Sequence, residues 1–83
     1  MADRSSARAS VTEINHALQE IACREEDGVV SAIEAAAELA RRGLLKDSPS
    51  RRGKPLRDLM RAGRIDHAYQ EGGRWWFVRC AKP

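Results

Sequence analysis

Apolar residues recur with a helical period in three stretches of this chain and with a strand-like period in a fourth. Val11, Ile14, Leu18, Ile21 and Ala22 fall on one helical face, and Ser10 followed by Glu13 forms the S-x-x-E box that opens a helix. The pattern predicts a first helix over about residues 11–25, closed by Arg24-Glu25-Glu26-Asp27-Gly28. Val29-Val30 is a short β-branched step. Ser31 and Glu34 repeat the capping box. Ile33, Ala36, Ala37, Ala40 and Leu44 then recur at i, i+3, i+4, i+7 and i+11, which predicts a helix over 31–42 burying that stripe. Gly43 ends it, with Arg41 and Arg42 at the negative end of the helix dipole.

Lys46 to Gly53 reads as a loop by composition. Lys54-Pro55 opens a third helix, since proline suits the first turn, and Leu56, Leu59 and Met60 form its apolar face before Gly63 closes it near residue 62. Ile65–Gln70 and Arg74–Cys80 are rich in β-formers and flank Gly72-Gly73, a hairpin turn signal. A two-residue loop there sets Tyr69 opposite Trp76, His67 opposite Val78 and Asp66 opposite Arg79. The expected core is Ile14, Leu18, Ile21, Ile33, Ala37, Ala40, Leu56, Leu59 and Ile65. Residues 1–9 read as a disordered tail and 10–83 as one domain.

The order is helix, short strand, helix, loop, helix, hairpin, an α+β class with helix dominant. That series resembles the winged helix-turn-helix superfamily. Ala35-Ala36-Ala37-Glu38-Leu39-Ala40 is similar to the A-x-x-L-A core of the first helix of that motif. Leu56-Arg57-Asp58-Leu59-Met60 looks like its recognition helix, Gly63-Arg64-Ile65 like the step into the wing, and Gly72-Gly73-Arg74-Trp75-Trp76-Phe77 like the wing tip and returning strand. The resemblance covers about residues 11–80. It implies a three-helix core with a C-terminal β-hairpin wing, Val29-Val30 as a short third strand paired with it, and a DNA-binding role in transcription regulation.

Charge sharpens this picture. The net charge of +3 is the sum of −5 over residues 1–40 and +8 over 41–83. Such a split points to one polyanion-facing surface. The base composition of a genome accounts for arginine over lysine, not for the clustering of basic residues in one half. Lys54, Arg57, Arg61 and Arg64 are spaced i, i+3, i+7 and i+10, opposite the apolar anchors of the third helix; a basic helix face neutralises phosphates, and arginine reads guanine in the major groove. Arg51 and Arg52 stand on the adjoining loop and Arg74 at the hairpin tip, which makes all seven the expected nucleic-acid-binding residues. Trp75 and Trp76 are adjacent in a strand and so face opposite ways. Either one fills the core and the other is open to stack on a base or anchor a protein partner, or surrounding structure buries both.

Other chemistry is thinly represented. A chain of 83 residues buries roughly 60–65% of its unfolded surface, which leaves little room for a deep substrate pocket. Cys23 and Cys80 form no CxxC pair, and His16 and His67 complete no metal-ligand spacing, so neither metal nor cofactor is expected. No Ser-His-Asp set, phosphate-binding glycine loop or Cys-His pair suggests an enzyme. With no apolar run long enough for a membrane and no secretory signal at the start, the reading is a cytoplasmic protein with reduced thiols, nucleoid-associated if it binds DNA. The leading function is duplex DNA binding. The alternative is a protein-interaction module using the hairpin aromatics, and RNA binding is a third.

Overall fold

The first helix begins where its capping box sits. The Glu13 backbone N–H donates to Ser10 Oγ at 3.2 Å and the Ser10 N–H donates to Glu13 Oε1 at 3.0 Å, which fixes the start of α1 (Val11–Arg24). The computed structural model describes residues 10–81, so the expected tail at 1–9 lies outside the described residues. After α1 come β1 (Val29–Ser31) and α2 (Ala32–Arg41), whose N-cap Ser31 accepts from the Glu34 N–H at 3.2 Å. Then follow α3 (Lys54–Arg61), β2 (Ala68–Glu71) and β3 (Trp75–Arg79). The strands form one antiparallel sheet in the order β1-β3-β2. α1 packs on α2 and β3, and α2 packs on α3. The architecture is α+β: three helices and a three-stranded antiparallel sheet.

One apolar cluster holds these elements together. Ile14, Leu18 and Ile21 of α1 meet Val30, Leu39, Leu45, Leu56, Met60, Ile65 and Val78, all buried. Val30 pairs directly with Val78, so the short β-branched step brings β3 under the helices.

Three expectations about packing are corrected. The first concerns α2: Ile33 is 39% exposed, Ala40 is exposed and Ala37 half-buried, while Ala32, Ala35, Ala36 and Leu39 face the core. Those four also stand at i, i+3, i+4 and i+7, one residue out of step with the expected stripe. Alanines on nearly every side make the two stripes equally regular. The bulk of Leu39, fully buried, turns the helix toward the second. Next, Leu59 is only half-buried, and α3 meets the core through Leu56 and Met60. In the hairpin, the loop is Gly72-Gly73-Arg74 and the register is Tyr69↔Phe77, Gln70↔Trp76 and Ala68↔Val78. Both glycines have positive φ, 63° and 70°, and the Arg74 N–H donates to the Glu71 carbonyl at 3.2 Å. The extra residue slips the register by one, so every assumed partner changes. Asp66 does not face Arg79, whose guanidinium lies 5.0 Å from the centre of the Tyr69 ring, itself stacked on Phe77. β2 also starts at Ala68 rather than Ile65, because Asp66 and His67 form a turn in which His67 has a φ of 62°.

A fourth correction concerns the thiols. Cys23 and Cys80 form a disulfide, with Cα atoms 4.8 Å apart across a sequence separation of 57. That separation hides a contact created by folding: the Cys80 N–H donates to the Gly28 carbonyl at 2.7 Å, which lays the end of β3 beside the end of α1.

Two α1 amides complete the frame. Asn15 Nδ2 donates to the Arg64 carbonyl at 3.0 Å and Asn15 Oδ1 accepts from the Asp66 N–H at 2.7 Å. One turn later, Gln19 Nε2 donates to the Arg79 carbonyl at 3.0 Å and Gln19 Oε1 accepts from the Ala81 N–H at 2.8 Å. Each amide holds a distant backbone segment as a neighbouring strand would. Asn15→Ala is expected to cost about 1–2 kcal/mol, because both backbone groups lose a partner at a half-covered site. Thermal denaturation checks this, with exposed His16→Ala expected to leave the midpoint in place.

Candidate nucleic-acid interface

The loop before α3 is ordered by its own side chains. Asp47 Oδ1 accepts from the backbone N–H groups of Ser48 and Gly53, both at 2.9 Å, and Ser48 Oγ accepts from the Arg51 N–H at 3.1 Å. Gly53 then caps α3 with a φ of 81°, and a Cβ there would lie 3.2 Å from Ile33 Cγ1. Only glycine meets both demands, the left-handed backbone and the close approach to α2. Gly53→Ala is accordingly expected to destabilise the domain by about 1–3 kcal/mol, read as a lower denaturant midpoint at unchanged slope.

This frame sets the basic side chains in three groups. Arg51 and Arg52 are exposed on the ordered loop. Lys54 Nζ and Arg61 Nη1 converge on Asp58, at 2.9 and 3.0 Å. The Lys54 ammonium, bonded to the Asp58 carboxylate, holds that carboxyl below its ordinary range, with Arg61 adding to the effect. The ion pairs' stabilisation is therefore present above the usual carboxylate titration range and lost as pH falls through the depressed pKa; exposure to solvent keeps it small. Lys54 and Arg61 thus meet a phosphate only in competition with Asp58.

Arg57 points to another neighbour. It lines a groove of about 250 Å³ between α3, the start of α2 and the hairpin, together with Ile33, Arg74, Trp75, Trp76 and Phe77. Neither Arg57 nor Arg74 makes an ion pair among the described residues, and the groove has no acidic lining residue. Arg64 lies past the end of α3, exposed, on the turn that Asn15 holds. Of the seven expected basic residues, the structure brings Arg57 and Arg74 together and ties Lys54 and Arg61 to one carboxylate.

The tryptophans divide as strand alternation requires. Trp76 shares a face with buried Val78 and packs against the core, while Trp75 is 59% exposed. The Trp76 Nε1–H is buried without an acceptor among the described residues, a deficit of about 1–3 kcal/mol that an acceptor atom would relieve. Ile33, expected from the sequence in the core, is with Trp75 an exposed large apolar side chain among the described residues, and both line the same groove. Sequence reasoning missed this pairing because the two residues stand far apart in the chain and the face of α2 was taken one residue out of step.

Other basic residues are engaged elsewhere. Arg41 and Arg42 both bind Glu38, Arg42 Nη1 also reaches Glu20 Oε1 at 2.9 Å, and Arg24 lies 3.8 Å from Glu38. The Arg41 hydrogen bond, then that of Arg42, holds the Glu38 carboxyl below its usual range, and the bond that Arg42 donates to Glu20, then that to Glu38, raises Arg42. Part of the basic half is therefore spent joining α2 to the acidic half of the chain.

His16 and His67 are exposed and line a second groove, of about 520 Å³, along α1 with Asn15, Gln19 and Asp66. Its polar walls are the amides that hold the fold. Among the described residues, no group of three or more His, Cys, Asp or Glu side chains is placed to hold a metal ion, and no helix is long and apolar enough to cross a membrane. Comparison of the chain with protein-family models, with curated proteins and with solved structures finds no match.

Proposed function

We propose that this chain is a winged-helix protein that binds duplex DNA through α3 and the β2–β3 hairpin, in a transcriptional or chromosome-associated role and without catalysis. The order α1-β1-α2-α3-β2-β3 and the sheet order β1-β3-β2 support the winged-helix reading, with α3 as recognition helix and the hairpin as wing. The observation that supports the function is that Arg57 from α3 and Arg74 from the hairpin tip line one groove with no acidic side chain among its lining residues. Arg51, Arg52 and Arg64 extend that positive surface, and Lys54 and Arg61 join it when phosphate displaces Asp58. The location is cytoplasmic in this reading, a compartment in which disulfides such as Cys23–Cys80 are uncommon.

Salt titration of binding to a labelled duplex tests it. With four to five phosphates neutralised, log K falls with log salt at a slope of about −4, and Arg57→Ala with Arg74→Ala flattens it by about two. Asp58→Asn is expected to tighten binding several-fold at low salt, because it removes a like-charge neighbour of the phosphates and releases Lys54 and Arg61. Absence of duplex binding at low salt overturns the proposal. The second reading, a protein-docking surface, is favoured by the exposure of Trp75 and Ile33 in one groove. It predicts an association that changes little with salt.

A further inference from the structure

We infer that the groove between α3, the start of α2 and the hairpin tip is a nucleobase site: an unpaired base stacks on Trp75 while the phosphates on either side of it bind Arg57 and Arg74. This rests on the nucleic-acid reading above and narrows it, from a duplex to a duplex bearing an unpaired strand.

The two large apolar side chains exposed among the described residues, Trp75 and Ile33, lie in this one groove rather than scattered over the surface. An intact duplex gives them nothing to cover: it presents phosphates and sugars along its backbone, and its base faces are already stacked on one another. An unpaired base has a free π-face, and aromatic side chains take such faces with little regard to sequence. The two charges lining the groove are both arginines without a carboxylate partner, one on α3 and one in the hairpin loop, and each is able to meet a phosphate. At about 250 Å³ the groove is smaller than the usual ~300–1,000 Å³ ligand pocket, which suits one flat ring better than an extended ligand. An acidic apolar peptide would satisfy the arginines and Ile33. It would offer Trp75 no flat partner.

The test compares a blunt DNA duplex with the same duplex carrying a short thymine overhang, at one salt concentration, by anisotropy and by tryptophan fluorescence. The overhang is expected to bind about tenfold tighter than the blunt end, with tryptophan emission quenched. Trp75→Ala should abolish that preference while leaving blunt-duplex affinity in place. Trp75→Phe should keep most of the preference and lose the quenching. Because Trp75 is mostly solvent-exposed, both variants are expected to fold, and a thermal melt confirms it. Equal affinity for overhang and blunt end in the wild type overturns the base site and leaves duplex binding standing. Failure to bind either DNA overturns both. Quenching by a peptide of alternating Glu and Leu, with none by DNA, also overturns the inference and makes the groove a protein-docking site.

Discussion

Reducing the Cys23–Cys80 bond is expected to lower the melting temperature of this domain by about 15–30 °C. The bond joins the last turn of α1 to the residue after β3, across a sequence separation of 57. Closing a loop of that length in the unfolded chain removes conformational freedom equivalent to about 4 kcal/mol. A domain of this size has roughly 5 kcal/mol of net stability, so most of its margin depends on the bridge. Each kcal/mol moves the midpoint by about 4–8 °C at this length, which gives the stated range. Circular dichroism melts with and without a thiol reductant, beside the double variant Cys23→Ser with Cys80→Ser, measure it. The reduced wild type and the double variant should melt together. If both thiols titrate as reduced and the midpoint has not moved, the bridge contributes nothing to stability. The bond lies at the far end of β3 from Trp75, so DNA affinity measured well below the reduced midpoint should not change.

The bridge also marks where sequence reasoning ran out. Local signals were legible: Ser10 and Ser31 as caps, Pro55 at the start of α3, and Gly72-Gly73 at a turn all lie where the chain pattern sets them, because each acts on backbone a few residues away. Distant partnerships left no such trace. Nothing near Cys23 announces Cys80, and nothing near Asn15 announces Arg64 and Asp66. In α2, five alanines allow two buried stripes, and the choice between them rests on where Leu39 finds room in the assembled core. The hairpin slip turned on whether Arg74 belongs to the turn or to the strand, a difference of one hydrogen-bonded pair that composition does not fix. The candidate site followed the same division. Arg57 and Arg74 were legible as basic positions on a helix and a turn, whereas their meeting with Ile33 and Trp75 depended on the rotation of α2 and the register of the hairpin.

Leu56 and Leu59 stand three residues apart on the apolar side of α3, yet their replacement by alanine should differ several-fold in effect. Leu56 is 0% exposed and lies in the cluster with Met60 and the α1 and α2 core residues. Leu59 packs at the edge of that cluster and keeps part of its surface in water. Leu56→Ala removes a methine and two methyl carbons from a fully buried site and leaves a cavity, at a cost of about 2–5 kcal/mol. Leu59→Ala opens onto solvent, which fills the space, and should cost about 1–2 kcal/mol, since only the covered part of the side chain loses apolar burial. Against roughly 5 kcal/mol in total, the first change brings the domain to the edge of unfolding and the second does not. Urea denaturation of the two variants, with the disulfide intact, resolves them as different midpoints at a common slope. The proposed DNA binding should follow the same order. α3 is eight residues long, shorter than a helix that persists in water by itself, so its direction is set by Leu56 and Met60 gripping the core. Loosening Leu56 frees the turn that aims Arg57 into the groove. Leu56→Ala should therefore lose the Arg57-dependent part of DNA binding even at temperatures where the rest of the domain remains folded. Leu59→Ala should retain it. Equal stability and equal DNA affinity in the two variants would mean that α3 is not held through Leu56.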